Sequence, residues 1–180
     1  SAEEYTSLEY CYLEKMLHPL KIIDNDIPCF VVPIKKEWAT QLFEENMLGE
    51  RIQFGNESPD LILNRENVYY RSAKPKRLES PSRILWYISK SKNDAGFIAA
   101  NSVIDNIEID LPKKLFKKYE QLGIYEWTQI YNLAKSNLEN DIMAFVFSDT
   151  ELFKNKVTLN QIRRIFKSAT GKDFNPISPL

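Results

Sequence analysis

The sequence predicts an α+β fold built on a small, curled, barrel-like mixed β-sheet with flanking helices. Three observations carry that prediction. Several apolar β-type runs follow one another with few helices between them, whereas a doubly wound sheet would alternate strand and helix throughout. Amphipathic helical patterns stand near both ends of the chain and at one break in the strand series. The 180 residues, 43% hydrophobic and 27% charged, can bury one core without disulfide or metal staples but are too few for two full-sized domains.

Taken in order, residues 2–17 place Tyr5, Leu8, Tyr12 and Leu13 at helical spacing, with Glu3 and Glu4 in the first turn and Pro19 beyond the end. Residues 29–34 form a short apolar β-type run bounded by prolines, and residues 36–43 then set Trp38, Ala39, Leu42 and Phe43 on one helical face. Residues 46–66 mix Asn, Gly, Ser and Pro with short apolar pieces, and read as irregular with one short strand at residues 61–63. Strands follow at 68–71, 83–89 and 96–110. The last is long enough to require a bend or bulge near Asn101 and Ser102. Residues 84–88 are apolar on both faces, as in a central strand. Two helices at 112–121 and 126–134 interrupt the sheet, the first with proline in its first turn. A buried strand at 141–147 precedes an amphipathic helix at 159–168, and Asp149 and Glu151 are expected where that strand ends, with Ser148 or Asp149 capping the following turn. The expected organisation is a linking helix at 1–24, one domain at 25–170 and a tail at 171–180.

Composition removes much of enzymology. His18 is the single histidine, so sites built on several imidazoles are excluded, and the five glycines never cluster into a phosphate-cradling loop. No metal or organic cofactor is expected. Cys11 and Cys29 read as reduced thiols, and the acidic start lacks the pattern of a secretion signal, so a cytoplasmic protein is expected. Cys11 and His18 are spaced permissively for thiol catalysis, but nothing near them supplies an oxyanion hole or an orienting acid.

The net charge of −1 hides a strong segregation. Residues 1–64 carry 5 basic and 12 acidic residues, residues 65–92 carry 8 and 2, and residues 93–180 carry 11 of each. In the basic middle, Arg71, Lys74, Lys76 and Arg77 stand around Pro75, and Tyr69, Tyr70, Trp86 and Tyr87 lie among the cations. Clustered cations attract polyanions by counterion release, and aromatic faces offer stacking platforms for unpaired bases. A solvated loop beside core aromatics is the alternative for the same residues.

The stretches at 27–43 (IPCFVVPIKKEWATQLF), 83–90 (RILWYISK), 96–105 (GFIAANSVID), 122–134 (LGIYEWTQIYNLA) and 142–153 (IMAFVFSDTELF) resemble the PUA-like superfamily, which includes the ASCH, EVE and YTH domains. They are most similar to PUA-like modules that follow an acetyltransferase domain in some bacterial and phage-type proteins. The resemblance covers about residues 27–166. It implies a small β-barrel with helices at its ends and a cleft that in relatives receives RNA or a modified base. It also implies an acetyltransferase-like part ahead of Ser1, which would make residues 2–17 a linking helix. The ASCH signature of glycine, lysine, glutamate and arginine is not reproduced, since Leu48, Gly49, Glu50 and Arg51 include no lysine.

The expected ligand is RNA or another single-stranded nucleic acid, with no membrane partner. Arg71, Lys74, Lys76 and Arg77 would follow the phosphates, Trp86 with Tyr69 or Tyr70 would stack on a base, and Asn101 and Ser102 would hydrogen-bond a base edge. Trp38 and Trp127 are assigned to the core. Two alternatives stand beside this reading: an ASCH-type ribonuclease, and a regulatory interaction domain of an attached acetyltransferase. For the ribonuclease, Glu108 and Asp110 share a strand face and form a carboxylate pair able to hold Mg²⁺, with Asp105 pointing the other way. Solvated edge charge explains the same three residues.

Overall fold

The computed structural model describes residues 6–22, 27–47, 66–74, 77–89 and 96–174. The short strand expected at 61–63, the stretch Leu48 to Arg51, Glu3, Glu4, Lys76 and the residues after 174 lie outside the described residues.

Helix α1 (Ser7–Met16) opens with a reciprocal cap: Thr6 Oγ1 accepts from the Glu9 amide and the Glu9 carboxylate accepts from the Thr6 amide. Strand β1 (Cys29–Ile34) feeds α2 (Lys36–Met47), as its apolar periodicity predicts. Strands β2 (Glu66–Ser72), β3 (Ser82–Ile88) and β4 (Phe97–Asp110) follow. Helix α3 (Pro112–Tyr119) with its trailing 3-10 turn and α4 (Trp127–Leu133) precede β5 (Ile142–Thr158) and the closing helix α5 (Leu159–Thr170).

The five strands lie in the order β1-β3-β4-β5-β2. The β1–β3 pair is parallel and the other pairs are antiparallel. The sheet is therefore mixed and curls into a half-barrel. Alternation along β5 divides the interior in two, because successive side chains of a strand point to opposite faces. Met143, Phe145 and Phe147 join Val32, Phe43, Ile84 and Trp86 on one face, while Ile142, Ala144 and Val146 join Val68, Tyr70, Leu115 and Ile130 under α3 and α4 on the other.

The curl comes from register slips. Between β4 and β5 the pairing slips at Ile98/Ala100, Asn101/Val103 and Ile104/Asn106, which places a bulge where the length of β4 requires one. Strand β5 does not end at Ser148, as its polar residues suggest, but runs on to Thr158. Asp149 takes the extra position with φ of 51°, a left-handed conformation that aspartate tolerates better than most residues.

Helix α1 is turned over relative to its apolar pattern. Leu8, Tyr12 and Met16 are exposed, whereas Cys11 and Glu14 face the body of the protein. The reason is a polar anchorage: Arg83 grips the Glu14 carboxylate, Ile22 donates its amide to the same group at 2.7 Å, and Lys15 pairs with Asp105 at 2.5 Å. Among the described residues no helix is long and apolar enough to cross a membrane.

Candidate functional site

A cleft of about 540 Å³ opens between the end of β1, the first turn of α2, the second half of β2 and α4. Its geometry follows from β-alternation. Tyr69 and Arg71, two residues apart on β2, share the strand face that looks toward β1 across the open side of the half-barrel. The Tyr69 hydroxyl donates to the Pro33 carbonyl at 3.3 Å and so bridges the two edge strands. Aromatic rings make the walls. Trp38 packs on Tyr125 with centroids 4.6 Å apart, and Tyr125 meets Tyr69 at 6.0 Å and Tyr70 at 5.3 Å, both edge-on.

The electrostatics of the cleft are one-sided. Lys35, Arg71 and Lys135 line it, and among the described residues its lining includes no carboxylate. Arg71 is the unusual member, since the residue is only 9% exposed and its Nε has no hydrogen-bond partner among the described residues. Burial pulls its pKa below the ordinary value, partly offset by Tyr69, yet a guanidinium titrates so far above neutrality that it stays charged. Among the described residues it has no carboxylate partner, and a buried cation in that state is costly, so the position is one that an anion could complete. The α2 backbone begins here, with Ala39 donating to the Lys35 carbonyl, so the positive end of the helix also faces the cleft. Lys135 and Ser136 follow α4 with φ of 56° and 57°, a pair of left-handed non-glycine residues that holds Lys135 at the rim.

The predicted residues divide. Tyr69 and Arg71 lie in the cleft, Lys74 and Arg77 are exposed beyond β2, and Lys76 is outside the described residues. Arg71 belongs to β2 rather than to a loop. Trp86 does not reach a surface: it is 0% exposed, lies among Phe43, Tyr69, Phe145 and Phe147, and donates Nε1–H to Ser102 Oγ at 2.8 Å. Ser102 Oγ also lies 2.8 Å from Thr150 Oγ1, and Asn101 donates to Glu151 at 3.3 Å, so the polar residues that interrupt β4 are satisfied locally. The cleft residues that sequence reasoning missed are Lys35, Trp38, Tyr125 and Lys135. They come from three parts of the chain, and Trp38, read as core, packs against the core and also forms a wall of the cleft.

The carboxylates considered for a metal do not converge. Asp105 pairs with Lys15, Glu108 with Lys118, and Asp110 with Lys114 at 3.2 Å and with the Leu111 amide. No group of three or more potential ligands for a metal ion occurs among the described residues. Both cysteines are free, and burial pushes the Cys11 thiol up, away from the reactive thiolate.

No protein-family model matches the chain, and no curated protein is similar to it in sequence. Solved structures do match. The ASCH protein from Zymomonas mobilis is 14% identical, with a TM-score of 0.53 over 83% of this chain and 84% of that one. Two single-substitution variants of the same protein are also 14% identical, with TM-scores of 0.54 over 85% and 87% and of 0.55 over 83% and 86% of the two chains. Similarity at that identity speaks to architecture: this chain shares the half-barrel fold of that ASCH protein.

Proposed function

We propose that the protein is a nucleic-acid-binding module of the PUA-like kind, whose cleft takes an unpaired base of RNA or another single-stranded nucleic acid. The observation that carries this reading is Arg71, a buried guanidinium with no carboxylate partner among the described residues, in the lining of an aromatic cleft. Its fork geometry suits two oxygens of a phosphate. Trp38, Tyr69 and Tyr125 give the base apolar, polarisable walls, and stacking of this type is worth ~1–3 kcal/mol per base. Lys35 and Lys135 add salt-sensitive attraction at the rim, and Lys74 and Arg77 extend it along the exposed segment after β2.

The test is fluorescence anisotropy of labelled single-stranded RNA and DNA dodecamers at two salt concentrations, with the native chain and Arg71→Met. Loss of one charge-assisted phosphate contact predicts roughly a tenfold weaker complex at unchanged thermal stability. Equal binding by both proteins overturns the assignment of the cleft.

A further inference from the structure

The C-terminal part of the chain carries a second, separate concentration of positive charge. Residues 152–174 hold Lys154, Lys156, Arg163, Arg164, Lys167 and Lys172 against one acid, Asp173. The balanced composition of residues 93–180 as a whole conceals it. Helix α5 buries no residue, and Arg163, Arg164 and Lys167 stand at one- and four-residue spacings on a single exposed side. They line a shallow groove of about 470 Å³ together with Asp173 and Phe174. Lys156 lies over the Phe97 ring at 4.4 Å, and Asp173 is engaged by Lys167 at 2.9 Å.

The strand registers place this helix beside the cleft. Ile34 pairs with Ile88, Ile88 with Phe97, and Phe97 with Thr158, which is the N-cap of α5. These pairs form one rung across the sheet. Three strand spacings separate Ile34, in the cleft wall, from the start of α5, a distance of about 14 Å. The helix itself is about 18 Å long. The β1 wall of the cleft and the start of α5 therefore share one rung of the sheet, while Arg71, on the β2 wall, pairs with Met143 near the other end of β5.

We infer that α5 and the end of β5 form a track for the phosphate backbone of a strand whose base occupies the cleft, so that the ligand is an oligonucleotide of about four or more nucleotides rather than a mononucleotide. The inference rests on the cleft reading above and adds the substrate's length and path. A basic amphipathic helix also suits an anionic lipid surface. The shared rung with the cleft favours nucleic acid.

The experiment compares the native chain, Arg71→Met and the triple variant Arg163→Glu, Arg164→Glu, Lys167→Glu on two probes, a labelled dinucleotide and a labelled single-stranded dodecamer, across a salt series. All three altered residues of the triple variant are exposed, and circular dichroism confirms that its fold is kept. The triple variant is expected to bind the dinucleotide as the native chain does, to bind the dodecamer at least about tenfold more weakly, and to flatten the salt slope by about 2, three single-strand phosphate contacts at about 0.7 each. An unchanged dodecamer affinity and slope in the triple variant, with Arg71→Met impaired, overturns the track and leaves the cleft standing. Loss of dodecamer binding in the triple variant alone, with Arg71→Met unaffected, overturns the cleft and with it the shared path. Co-sedimentation with phosphatidylglycerol vesicles that the triple variant abolishes, with dodecamer binding intact, assigns the helix to a membrane surface and overturns the proposal.

Discussion

Arg71 near the end of β2 and Arg83 near the start of β3 both carry a guanidinium into the body of the protein, in opposite company. Arg83 meets the fully enclosed Glu14 carboxylate through two nitrogens and the Ile22 carbonyl at 2.9 Å, and this contact fastens α1 to the sheet. Arg71 is buried among tyrosines, with no carboxylate in the cleft around it among the described residues. The first arginine directs Nε and Nη2 into the fold, and the Nε of the second has no partner among the described residues. Burial alone thus does not set the role of a cation; its partner does.

The comparison breaks most visibly at Arg83. Arg83→Met leaves Glu14 charged and enclosed, and urea denaturation should show a loss of about 3–5 kcal/mol, most of it restored by adding Glu14→Gln. Arg71→Met removes a cation that no described carboxylate neutralises, so stability should stay within about 1 kcal/mol of native or rise slightly while oligonucleotide affinity falls about tenfold. The two arginine variants should therefore separate stability from binding in opposite senses.

Alkaline titration sharpens the view of the Arg71 side. Burial pushes the Tyr69 phenol up to about 12, with Arg71 opposing. The folded state holds that proton more tightly than the unfolded chain does, so its contribution is complete below about pH 10 and is lost as pH rises toward 12. Thermal denaturation followed from pH 9 to 12 should show a decline that Tyr69→Phe reduces. The smallest change should come from the exposed pair. Lys74→Gln with Arg77→Gln is expected to weaken dodecamer binding only a few-fold and to lower the salt slope by about 1, read in the same anisotropy series.

Much of the half-barrel was legible in the sequence because its elements announce themselves by period. The β1–α2 unit, the interior position of β3, the bulge in β4 and the proline-opened α3 all follow from local spacing. Strand β5 was harder, since Ser148, Asp149 and Thr150 read as a terminus, whereas a bulge at Asp149 lets the strand continue. Trp86 illustrates a deeper ambiguity. An alternating strand shows that two faces exist without saying which lines a cleft, and here the Trp86 face is packed solid by Phe145 and Phe147. Arg71 was found for its charge among neighbouring cations, but its burial follows from β-pairing with Met143, more than seventy residues away. Trp38, Tyr125 and Lys135 meet only through tertiary folding, and no local pattern brings them together.

Pro33 has a further consequence, which concerns the border of the sheet. Strand β1 pairs with β3 on one side, and the carbonyls of Pro28 and Ile34 turn that way to accept from Arg83 and Ser89. Alternation turns residue 33 to the opposite, unpaired side. A proline there offers no amide, and its carbonyl is already occupied by the Tyr69 hydroxyl. An incoming extended peptide finds neither donor nor free acceptor at this point of the edge. The border thus resists the strand addition through which open sheets capture peptides or aggregate edge to edge, and the gap between β1 and β2 stays available to solutes.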